Sequence, residues 1–397
     1  MNFDVIVAGL GSMGSFACME LARRGASVAG LDRFEPPHGL GSHSGETRIY
    51  REAYAESPAY VPFVKHAGKL WDTYGEEAGW PLLTRSGMLS MGPPDSGVIA
   101  GIRRSAALHQ IPVQAVSPDE IRKSFPAFAP PPEYVGIFDG GAGWVDVERA
   151  LSFSLAQARR AGATIWLNRK VDEWQATESE VEVRSQGERI RAGALVLAAG
   201  AWSDQLLPSL PLSLERRVLA WLEPKRPELF LPGRMPVFMF DEQAFYGFPY
   251  REGRGVKVAI DAKSGDPLTD PSAVRPVDDE DLQPLARLAE KYLPELGRRF
   301  TGSKTCLYTM TPDRHFIIDR HPEFRNVHFA AGFSGHGFKF APAVGQVLAD
   351  LALEGRTHLP VEFLRAGGRF DSPGAISNGG RAPAGFPKGR VGCRPAR

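Results

Sequence analysis

The chain opens with a glycine-rich turn between two apolar segments, and this feature restricts the fold more than any other. An apolar run, residues 4–8, leads into Gly9-Leu-Gly-Ser-Met-Gly14. Residues 15–24 have the apolar spacing of a helix, and residues 26–31 predict a second strand that ends at Asp32. Strand, turn, helix, strand and acid in this order predict a βαβ unit.

The spacing of the glycines also predicts a ligand for the turn. Gly9 permits the tight turn, Gly11 lets the backbone approach a pyrophosphate, and Gly14 allows close packing of the helix. The N–H groups at the helix N-terminus attract phosphates. Asp32 can accept a hydrogen bond from a ribose hydroxyl and would repel the 2′-phosphate of NADP. A dinucleotide site is therefore expected, and a purely structural turn is the alternative.

Composition excludes several other classes of protein. The chain has 397 residues and a formal net charge of +1, which argues for two domains and against nucleic acid or an anionic membrane as a partner. Cys18, Cys306 and Cys393 are too scattered for a disulfide framework or a metal site, and indicate a reducing compartment. Neither a membrane span nor a signal peptide is visible, so a cytoplasmic protein is expected.

Later segments extend the same sheet. Residues 194–202 form an uninterrupted apolar run, which is typical of a strand buried on both faces, and residues 327–332 predict another strand. A helix is expected over residues 342–353. Three short alternating segments predict antiparallel strands: residues 164–167, 171–174 and 181–183.

The expected fold is therefore mixed α/β, in the sense of α+β, with two domains that are each discontinuous in sequence. The Rossmann-like nucleotide domain is assigned residues 1–83, 146–214 and 309–370. Residues 84–145 and 215–308, which are richer in proline and aromatic residues, are assigned to a substrate domain with a mixed or antiparallel sheet. Residues 371–397 are rich in glycine and proline and predict a flexible tail.

Four blocks of sequence occur in order between residue 3 and about residue 365. They are the glycine turn, residues 34–51 with the core Gly41-Ser-His-Ser-Gly-Glu-Thr-Arg-Ile-Tyr-Arg51, residues 306–319 from Cys306 to Asp319, and Gly332-Phe-Ser-Gly-His-Gly-Phe-Lys339. With this combination the chain resembles the monomeric sarcosine oxidase and N-methyltryptophan oxidase family. Members of that family are flavoenzymes that oxidise the secondary amines of N-methyl amino acids.

The resemblance implies that Cys306 binds FAD covalently, through a thioether to the 8α-methyl carbon of the flavin. The thiolate is the nucleophilic form that such a bond requires. An isolated cysteine is more often a small buried hydrophobe, which is the reading kept for Cys18 and Cys393. The other cofactor-binding positions expected are Gly9, Gly11, Ser12, Met13, Gly14, Asp32, Ser42, Thr47, Arg48, Val171, Gly200, Trp202, Gly335, Gly337 and Lys339.

The resemblance also implies roles for four cations. Lys257 would lie over the flavin and assist its reaction with oxygen, because a cation stabilises the negative charge that develops there. Arg48 would pack against the flavin ring. Arg51 and Lys339 would hold the substrate carboxylate, one bidentately and one as a point charge. The alternative for these residues is ordinary surface charge.

Aromatic residues and one glycine complete the substrate site, and two positions depart from the family pattern. Tyr246, Tyr308 and Gly335 are expected at the substrate, although either tyrosine can instead be a core aromatic. Ser44 replaces a second histidine of the Gly-Ser-His-His-Gly turn. Asp261 replaces an active-site histidine four residues after the lysine, and is grouped with Lys257 and Arg48 as a candidate catalytic residue.

Because of Asp261, the sequence does not identify the preferred substrate. Asp261 can attract a cationic amine or pair with Lys257 or Lys263, so sarcosine, a bulkier N-methyl amino acid, a cyclic imino acid and an N-alkylated amine all remain candidates.

The expected activity is oxidation of the C–N bond of a secondary amine by O₂, giving an imine, which hydrolyses, and H₂O₂. The alternatives are another FAD-dependent amino-acid or imino-acid oxidase, a dehydrogenase that uses a different acceptor, and a non-catalytic nucleotide-binding regulator. The expected partners are a small amine and O₂, with no metal, nucleic acid or membrane, and the chain is expected to be a monomer.

Overall fold

The computed structural model describes residues 2–261, 265–367 and 391–392, and all structural statements refer to these. The predicted flexible tail lies outside them, apart from one short strand. The helices of the described part are Ser12–Arg23 (α1), Val61–Ala78 (α2), Gly97–His109 (α3), Pro118–Ser124 (α4), Val147–Arg160 (α5), Ser203–Leu206 (α6), Asp279–Tyr292 (α7) and Ala341–Glu354 (α8).

Strands of the described part form two large sheets and one small sheet. They are Asn2–Ala8 (β1), Val28–Leu31 (β2), Thr47–Tyr50 (β3), Leu83–Thr84 (β4), Met88–Gly92 (β5), Val113–Val116 (β6), Val135–Asp139 (β7), Gly143–Asp146 (β8), Thr164–Trp166 (β9), Glu173–Ala176 (β10), Val181–Ser185 (β11), Glu188–Leu197 (β12), Ser213–Pro224 (β13), Val237–Phe240 (β14), Phe245–Gly247 (β15), Val256–Ile260 (β16), Asp266–Leu268 (β17), Leu296–Met310 (β18), Ile317–Arg320 (β19), Val327–Ala331 (β20) and Val391–Gly392 (β21).

The first sheet has a parallel centre. β1 lies between β2 and β12 and pairs parallel with both, and β20 pairs parallel with the end of β12. The carboxyl ends of these strands therefore meet at one edge, where open α/β sheets bind ligands. The βαβ opening is present as expected, although α1 begins three residues earlier than the sequence indicates because Gly11 caps it.

Three strand predictions in this sheet need correction. Residues 164–166 pair parallel with β2, not antiparallel, because the helix α5 returns the chain to the same end of the sheet. The strand expected at 171–174 lies at 173–176, paired with β11. The apolar run at 194–202 belongs to the longer strand β12 and ends at Leu197, and residues 200–202 form a 3-10 helix.

The second sheet is mostly antiparallel, and its two faces have different neighbours. Its strands run in the order β17-β13-β16-β15-β14-β5-β7-β6, with β18 beside β13, and β14 pairs parallel with β5. One face packs on α7 through Ala220, Leu222, Val256 and Val258. The other face carries Leu219, Trp221, Tyr246, Ala259, Cys306, Tyr308 and Met310.

The small sheet joins β3 to β8 and β4, and it holds the segment that carries Arg48 and Arg51. Together the three sheets confirm the mixed α/β fold that the sequence predicts. Strands of the first sheet come from residues 2–31, 164–197 and 317–331, with β21, and those of the second from residues 88–139 and 213–310. The exact domain boundaries stay a prediction.

The described residues contain neither a membrane-spanning helix nor a cluster of metal ligands. None of the helices within 2–261, 265–367 and 391–392 is long and apolar enough to cross a membrane. In the same ranges no three His, Cys, Asp or Glu side chains cluster in the way a metal ion requires.

Candidate active site

A cavity lies where the carboxyl edge of the first sheet meets the second sheet. It encloses about 1200 Å³, part of it open to solvent, and is lined by Ala8, Leu31 and Ala198 of the first sheet and by Leu307 and Tyr308 of the second. The predicted site residues that line it are Gly9, Gly11, Ser12, Met13, Asp32, Ser42, Arg48, Val171, Gly200, Trp202, Tyr308, Gly335 and Gly337.

The three glycines of the turn differ in what fixes them. Gly9 has φ +93°, a conformation that a side chain rarely adopts. A Cβ on Gly14 would lie 1.8 Å from the Gly9 carbonyl oxygen, so Gly14 lets α1 approach β1. A Cβ on Gly11 would meet only the His43 ring, at 3.6 Å. The backbone conformation therefore explains Gly9, and close packing explains Gly14. Gly11 instead leaves its backbone accessible to the cavity.

Asp32 lies at the end of β2, as the sequence predicts, and its carboxylate anchors the turn. Oδ2 accepts a hydrogen bond from the Leu10 N–H at 2.7 Å, and Oδ1 accepts one from the Phe34 N–H at 2.8 Å. Burial raises the pKa of Asp32, and these two bonds oppose the rise. Each oxygen keeps a lone pair for a ligand hydroxyl.

Trp202 lines the cavity beside two residues that follow Asp32. Its ring centroid lies 5.3 Å from that of Phe34, and the Arg33 guanidinium lies 4.9 Å from the indole. The indole N–H is buried and has no hydrogen-bond partner among the described residues. A buried donor without a partner marks a place where a ligand acceptor fits.

Cys306 is buried, and its sulfur lies beside a cation. Nη2 of Arg48 donates to Sγ at 3.3 Å, and the carbonyl oxygen of Ser42 lies 3.4 Å from Sγ. The same guanidinium donates to the carbonyl oxygens of Ser42, Ser44 and Thr47. Arg48 is therefore fixed by the loop that precedes β3, and it brings a positive charge beside the Cys306 sulfur.

Lys257 is buried and lies inside the molecule, so the surface-charge alternative is wrong for it. Its Nζ donates to the carbonyl oxygens of Gly45 at 2.5 Å and Thr47 at 2.8 Å, and to Oγ1 of Thr47 at 3.1 Å. Three acceptors match the three donors of an ammonium group. Burial, and then the nearby Arg48 cation, lower the pKa of Lys257 well below its usual value, whereas Glu46 opposes them.

Arg51 is also buried, and only one of its two terminal nitrogens has a partner among the described residues. Nη2 lies 2.6 Å from Oε1 of Glu56, while Nη1 is buried with no partner among the described residues. Burial alone would raise the pKa of Glu56, but Arg51 and its neighbours lower it to about 2. The glutamate therefore stays charged, and Nη1 remains available to a ligand.

Lys339 lies against the same tyrosine as Arg51. Nζ of Lys339 is 5.2 Å from the Tyr54 ring centre, and Cζ of Arg51 is 5.3 Å from it. Nζ donates to the His336 carbonyl oxygen at 2.6 Å. Burial and the Arg51 cation lower the pKa of Lys339 to about 7. Two buried cations with spare donor capacity thus share one small region.

Tyr308 and Tyr246 lie on the second sheet, next to Cys306. Burial raises the pKa of both phenols, that of Tyr246 to about 12, so both are neutral donors. A Cβ on Gly335, which has φ +83°, would lie 2.2 Å from the Tyr308 ring. Tyr308 lines the cavity, whereas Tyr246 packs in the adjoining apolar cluster.

Asp261 does not pair with Lys257, whose Nζ is bound to Gly45 and Thr47. Among the described residues its Oδ1 is buried with no hydrogen-bond partner, and burial raises the pKa of the carboxyl group. The other suggested partner, Lys263, lies outside the described residues.

Not every expected cofactor residue lines the cavity itself. Gly14, Thr47, Cys306 and Lys339 are not among its lining residues, although Thr47 and Lys339 are next in sequence to the lining residues Arg48 and Phe338, and Cys306 contacts Arg48. The lining also includes residues that sequence reasoning missed, among them His43, Arg169, Lys170, Thr309 and Ser334. The basic pair directly before Val171 was the one available signal for a phosphate or ribose contact.

Comparisons with known proteins identify the family of the chain. The chain matches the family described as DAO, FAD dependent oxidoreductase, over residues 4–351. Monomeric sarcosine oxidase from Streptomyces avermitilis is 39% identical over 369 residues, which cover 91% of this chain and 96% of that protein. N-methyl-L-tryptophan oxidase from Yersinia pestis is 34% identical over 365 residues, which cover 89% of this chain and 95% of that protein.

Solved structures share the same fold. NikD, an amino acid oxidase essential for nikkomycin biosynthesis, has a TM-score of 0.82 at 25% identity, covering 92% of this chain and 97% of that one. L-proline dehydrogenase from P. horikoshii has a TM-score of 0.80 at 23% identity, covering 91% and 96%. The family predicted from the four sequence blocks is confirmed: the chain is an enzyme that belongs to the FAD-dependent oxidoreductases.

Proposed function

We propose that the protein oxidises the C–N bond of a secondary amine that carries a carboxylate, as an N-alkyl amino acid does, with O₂ as acceptor. The observation that carries this proposal is the pair Arg51 and Lys339. Both cations are buried against Tyr54, and Nη1 of Arg51 lacks a partner among the described residues. A carboxylate is the ligand that such a pair binds best.

FAD fits the cavity on three features of the chain. The backbone around Gly11 and the start of α1 are open to a pyrophosphate, and no side chain caps this helix end. Asp32 has lone pairs left for the ribose. The unpartnered Trp202 indole N–H supplies a donor. We therefore assign these residues, with Ser12, Met13, Ser42, Val171, Gly200, Gly335 and Gly337, to cofactor binding.

When bound, FAD accepts a hydride equivalent from the carbon next to the amine nitrogen and passes two electrons to oxygen, giving H₂O₂. The residues of the chain orient and stabilise this exchange. Arg51 and Lys339 fix the substrate by its carboxylate, which sets the position of the C–N bond. Tyr308, whose pKa is raised by burial so that its phenol stays neutral, lines the cavity.

Lys257 is assigned to the step with oxygen. Burial disfavours the ammonium form of Lys257, but the two backbone carbonyl groups and the hydroxyl that accept from Nζ favour that form and fix it before charge develops. A fixed cation stabilises the negative charge that forms on dioxygen as it is reduced. Arg48 is assigned to the flavin ring and to the Cys306 sulfur.

Cys306 is proposed as the covalent attachment point of FAD. Support comes from the next residue, Leu307, which lines the cavity, and from the Arg48 donor 3.3 Å from Sγ, since Arg48 lines the cavity too. The names of the relatives, monomeric sarcosine oxidase above all, support a single-chain enzyme acting on a small amine. The cytoplasm stays the proposed compartment.

An anaerobic screen tests the function. Sarcosine, N-methyl-L-tryptophan, L-proline and N-alkylglycines are each mixed with the purified yellow protein, and bleaching of the flavin absorbance is followed. Bleaching by carboxylate-bearing secondary amines, faster than by the matching amines without a carboxylate, is expected. Bleaching without rapid recovery in air identifies a dehydrogenase, and no bleaching by any amine identifies a non-catalytic nucleotide-binding protein; either result overturns the proposal.

A further inference from the structure

Two buried polar atoms, in residues that do not themselves line the cavity, lack hydrogen-bond partners among the described residues. They are Oδ1 of Asp261 and Nε of Arg217. The Arg217 side chain is only 5% exposed, and neither atom is assigned a role above. Native proteins satisfy most of their buried polar atoms, so an unsatisfied acceptor and an unsatisfied donor in one place need a common explanation.

The strand register brings the two side chains together. Ala259 of β16 pairs with Leu219 of β13, and continuing this register by two residues brings Arg217 opposite Asp261, which directly follows the end of β16 at Ile260. Across the other edge of β13, Arg217 pairs with Cys306 of β18. The row therefore runs from Asp261 through Arg217 to the proposed attachment point of the flavin.

Both groups also flank Tyr308, which lines the cavity. The Arg217 guanidinium lies 5.2 Å from the Tyr308 ring centre. After burial, which raises the pKa of Tyr308, the Tyr246 and Asp261 groups raise it further, and this places Asp261 within electrostatic reach of the same ring. A substrate beside Tyr308 would thus meet both polar groups.

The two groups do not satisfy each other. Nη2 of Arg217 bonds to Oε2 of Glu215 at 2.5 Å, and the described residues contain no Arg217–Asp261 ion pair within 4.0 Å. The arginine is therefore held by Glu215 while its Nε remains a free donor. Asp261 meanwhile keeps a free acceptor.

We propose that Asp261 and Arg217 form a polar subsite for an uncharged hydrogen-bonding group on the substrate, a hydroxyl or carboxamide that donates to Oδ1 and accepts from Nε. The inference rests on the proposed function and deepens it, because it specifies what the secondary amine carries besides its carboxylate. A plain aliphatic substituent would leave both polar atoms unbonded.

The surrounding charges explain why the group is uncharged. The charged groups that lower the pKa of Asp261 are Arg217, Arg314 and Arg51, and Glu56 opposes them. A second cation on the substrate would face these arginines, whereas a second anion would face Asp261. A neutral group that both donates and accepts meets neither repulsion.

Matched substrate pairs that exchange a hydroxyl for a methyl group test the subsite. The pairs are N-(2-hydroxyethyl)glycine with N-propylglycine, and N-methyl-L-serine with N-methyl-L-2-aminobutyrate. The ratio of the reduction rate constant to Kd is measured anaerobically for each compound on the holoenzyme. In at least one pair the wild type should favour the hydroxyl member by about tenfold or more, because a site built to hydrogen-bond a substrate rejects analogues that cannot.

Substitutions of Asp261 and Arg217 test whether these two residues cause the preference for the hydroxyl compound. Asp261→Leu and Arg217→Met should each bring the ratio close to one, with Arg217→Gln replacing the latter if it fails to fold. Glu223→Gln, on the exposed part of β13, is the control and should keep the wild-type ratio. A ratio that both site variants leave unchanged overturns the subsite.

Three further outcomes distinguish the charge of the substrate group, the subsite and the proposed function. N-(2-aminoethyl)glycine differs from the hydroxyethyl compound by an ammonium group, and a preference for it would overturn the uncharged group in favour of a cation. Rapid reduction by secondary amines without any hydroxyl preference overturns the subsite alone. No reduction by any amine overturns the proposed function.

Discussion

Cys306 and Cys18 are both buried thiols, but their surroundings differ sharply. Cys306 has the Arg48 guanidinium 3.3 Å from its sulfur. Cys18 lies within α1, where burial raises the pKa of the thiol to about 12 and leaves it unreactive. We therefore expect the flavin of the wild type to precipitate with the protein in acid, and Cys306→Ser to release it to the supernatant. Cys18→Ser is the matched control, and flavin released from the wild type would refute the covalent bond.

Lys257 is expected to act only when oxygen is reduced. Lys257→Met should slow reoxidation of the reduced protein by air about 100-fold, the order expected for the loss of one preorganised electrostatic contact. Reduction by amine should change much less. Stopped-flow absorbance separates the two half-reactions.

The control for Lys257→Met is Lys304→Met. Lys304 lies on β18 near the same Glu46 carboxylate, at 4.0 Å, but its side chain is 43% exposed. The Lys304→Met variant should leave the rates of both half-reactions unchanged. An unchanged oxygen step in Lys257→Met would assign the lysine to the structure of the loop at Gly45.

Lys339 should give carboxylate binding a pH dependence. Its pKa is lowered to about 7 by burial and by Arg51, so the ammonium form exists below this pH and is lost as the pH rises through it. Acetate should therefore bind more weakly above pH 7, by up to about tenfold per pH unit. Titration of the flavin absorbance measures Kd. Acetamide and the Lys339→Arg variant should each give a flat profile, and a flat profile for acetate would contradict the assignment.

Sequence reasoning predicted the identity of these residues better than their surroundings. The family resemblance singled out Cys306, Lys257 and Lys339, of which Cys306 and Lys339 lie in the sequence blocks that carry it. The Arg51–Glu56 pair and the unpartnered Nε of Arg217 could not be predicted, because they depend on how distant chain segments pack. Asp261 was singled out as a departure from the family pattern, but its lack of a bond to Lys257 required coordinates.

The packing of α1 against β1 depends closely on one residue, Gly14. A Cβ at Gly14 would lie 1.8 Å from the Gly9 carbonyl oxygen and 3.3 Å from Cβ of Ala198, and both belong to the edge of the cavity. Gly14→Ala should lower the free energy of unfolding by about 2 kcal/mol or more, because overpacking forces the backbone to move. Urea unfolding of the holoprotein measures the change.

Gly97→Ala is the control for this helix experiment. Gly97 lies in α3, and a Cβ there would meet nothing within 4 Å. Alanine has the better helix propensity, so the variant should be as stable as the wild type or slightly more stable. Equal stability of the two variants would contradict the close packing of α1 on β1.

Local sequence patterns predicted the helices and strands well, but they predicted the pairing of strands poorly. The βαβ opening follows from spacing within one stretch of chain, and so does α8, which lies within one residue of the expected bounds at each end. The direction of β9 was wrong because an alternating pattern fixes which side chains are buried but not which strand is the neighbour. The pairing of β1 with β12 links residues far apart in sequence, and only the folded chain reveals it.

The cavity is shared by the two large sheets, so FAD should stabilise both together. The Cys306→Ser variant is first freed of its flavin. Its free energy of unfolding should then increase by about 2.7 kcal/mol when FAD is present at 100 times its Kd. Riboflavin lacks the adenylate half that the turn and Asp32 are proposed to hold, and should stabilise the protein far less. Urea titrations at several ligand concentrations test both statements, and equal effects of the two ligands would contradict the assignment of the glycine turn.

The alternation of side chains on the second sheet also limits how the chain can change in evolution. Cys306 and Tyr308 occupy even positions of β18, opposite odd positions of β13, and one inserted residue between 213 and 221 would turn the following side chains of that strand to the α7 face. The register irregularities at Trp221/Leu222 and Leu222/Pro224 already absorb such shifts at the far end of the pair. Length variation among descendants of this enzyme should therefore accumulate beyond residue 221, while the stretch from 213 to 221 keeps its length even where its residues are exchanged.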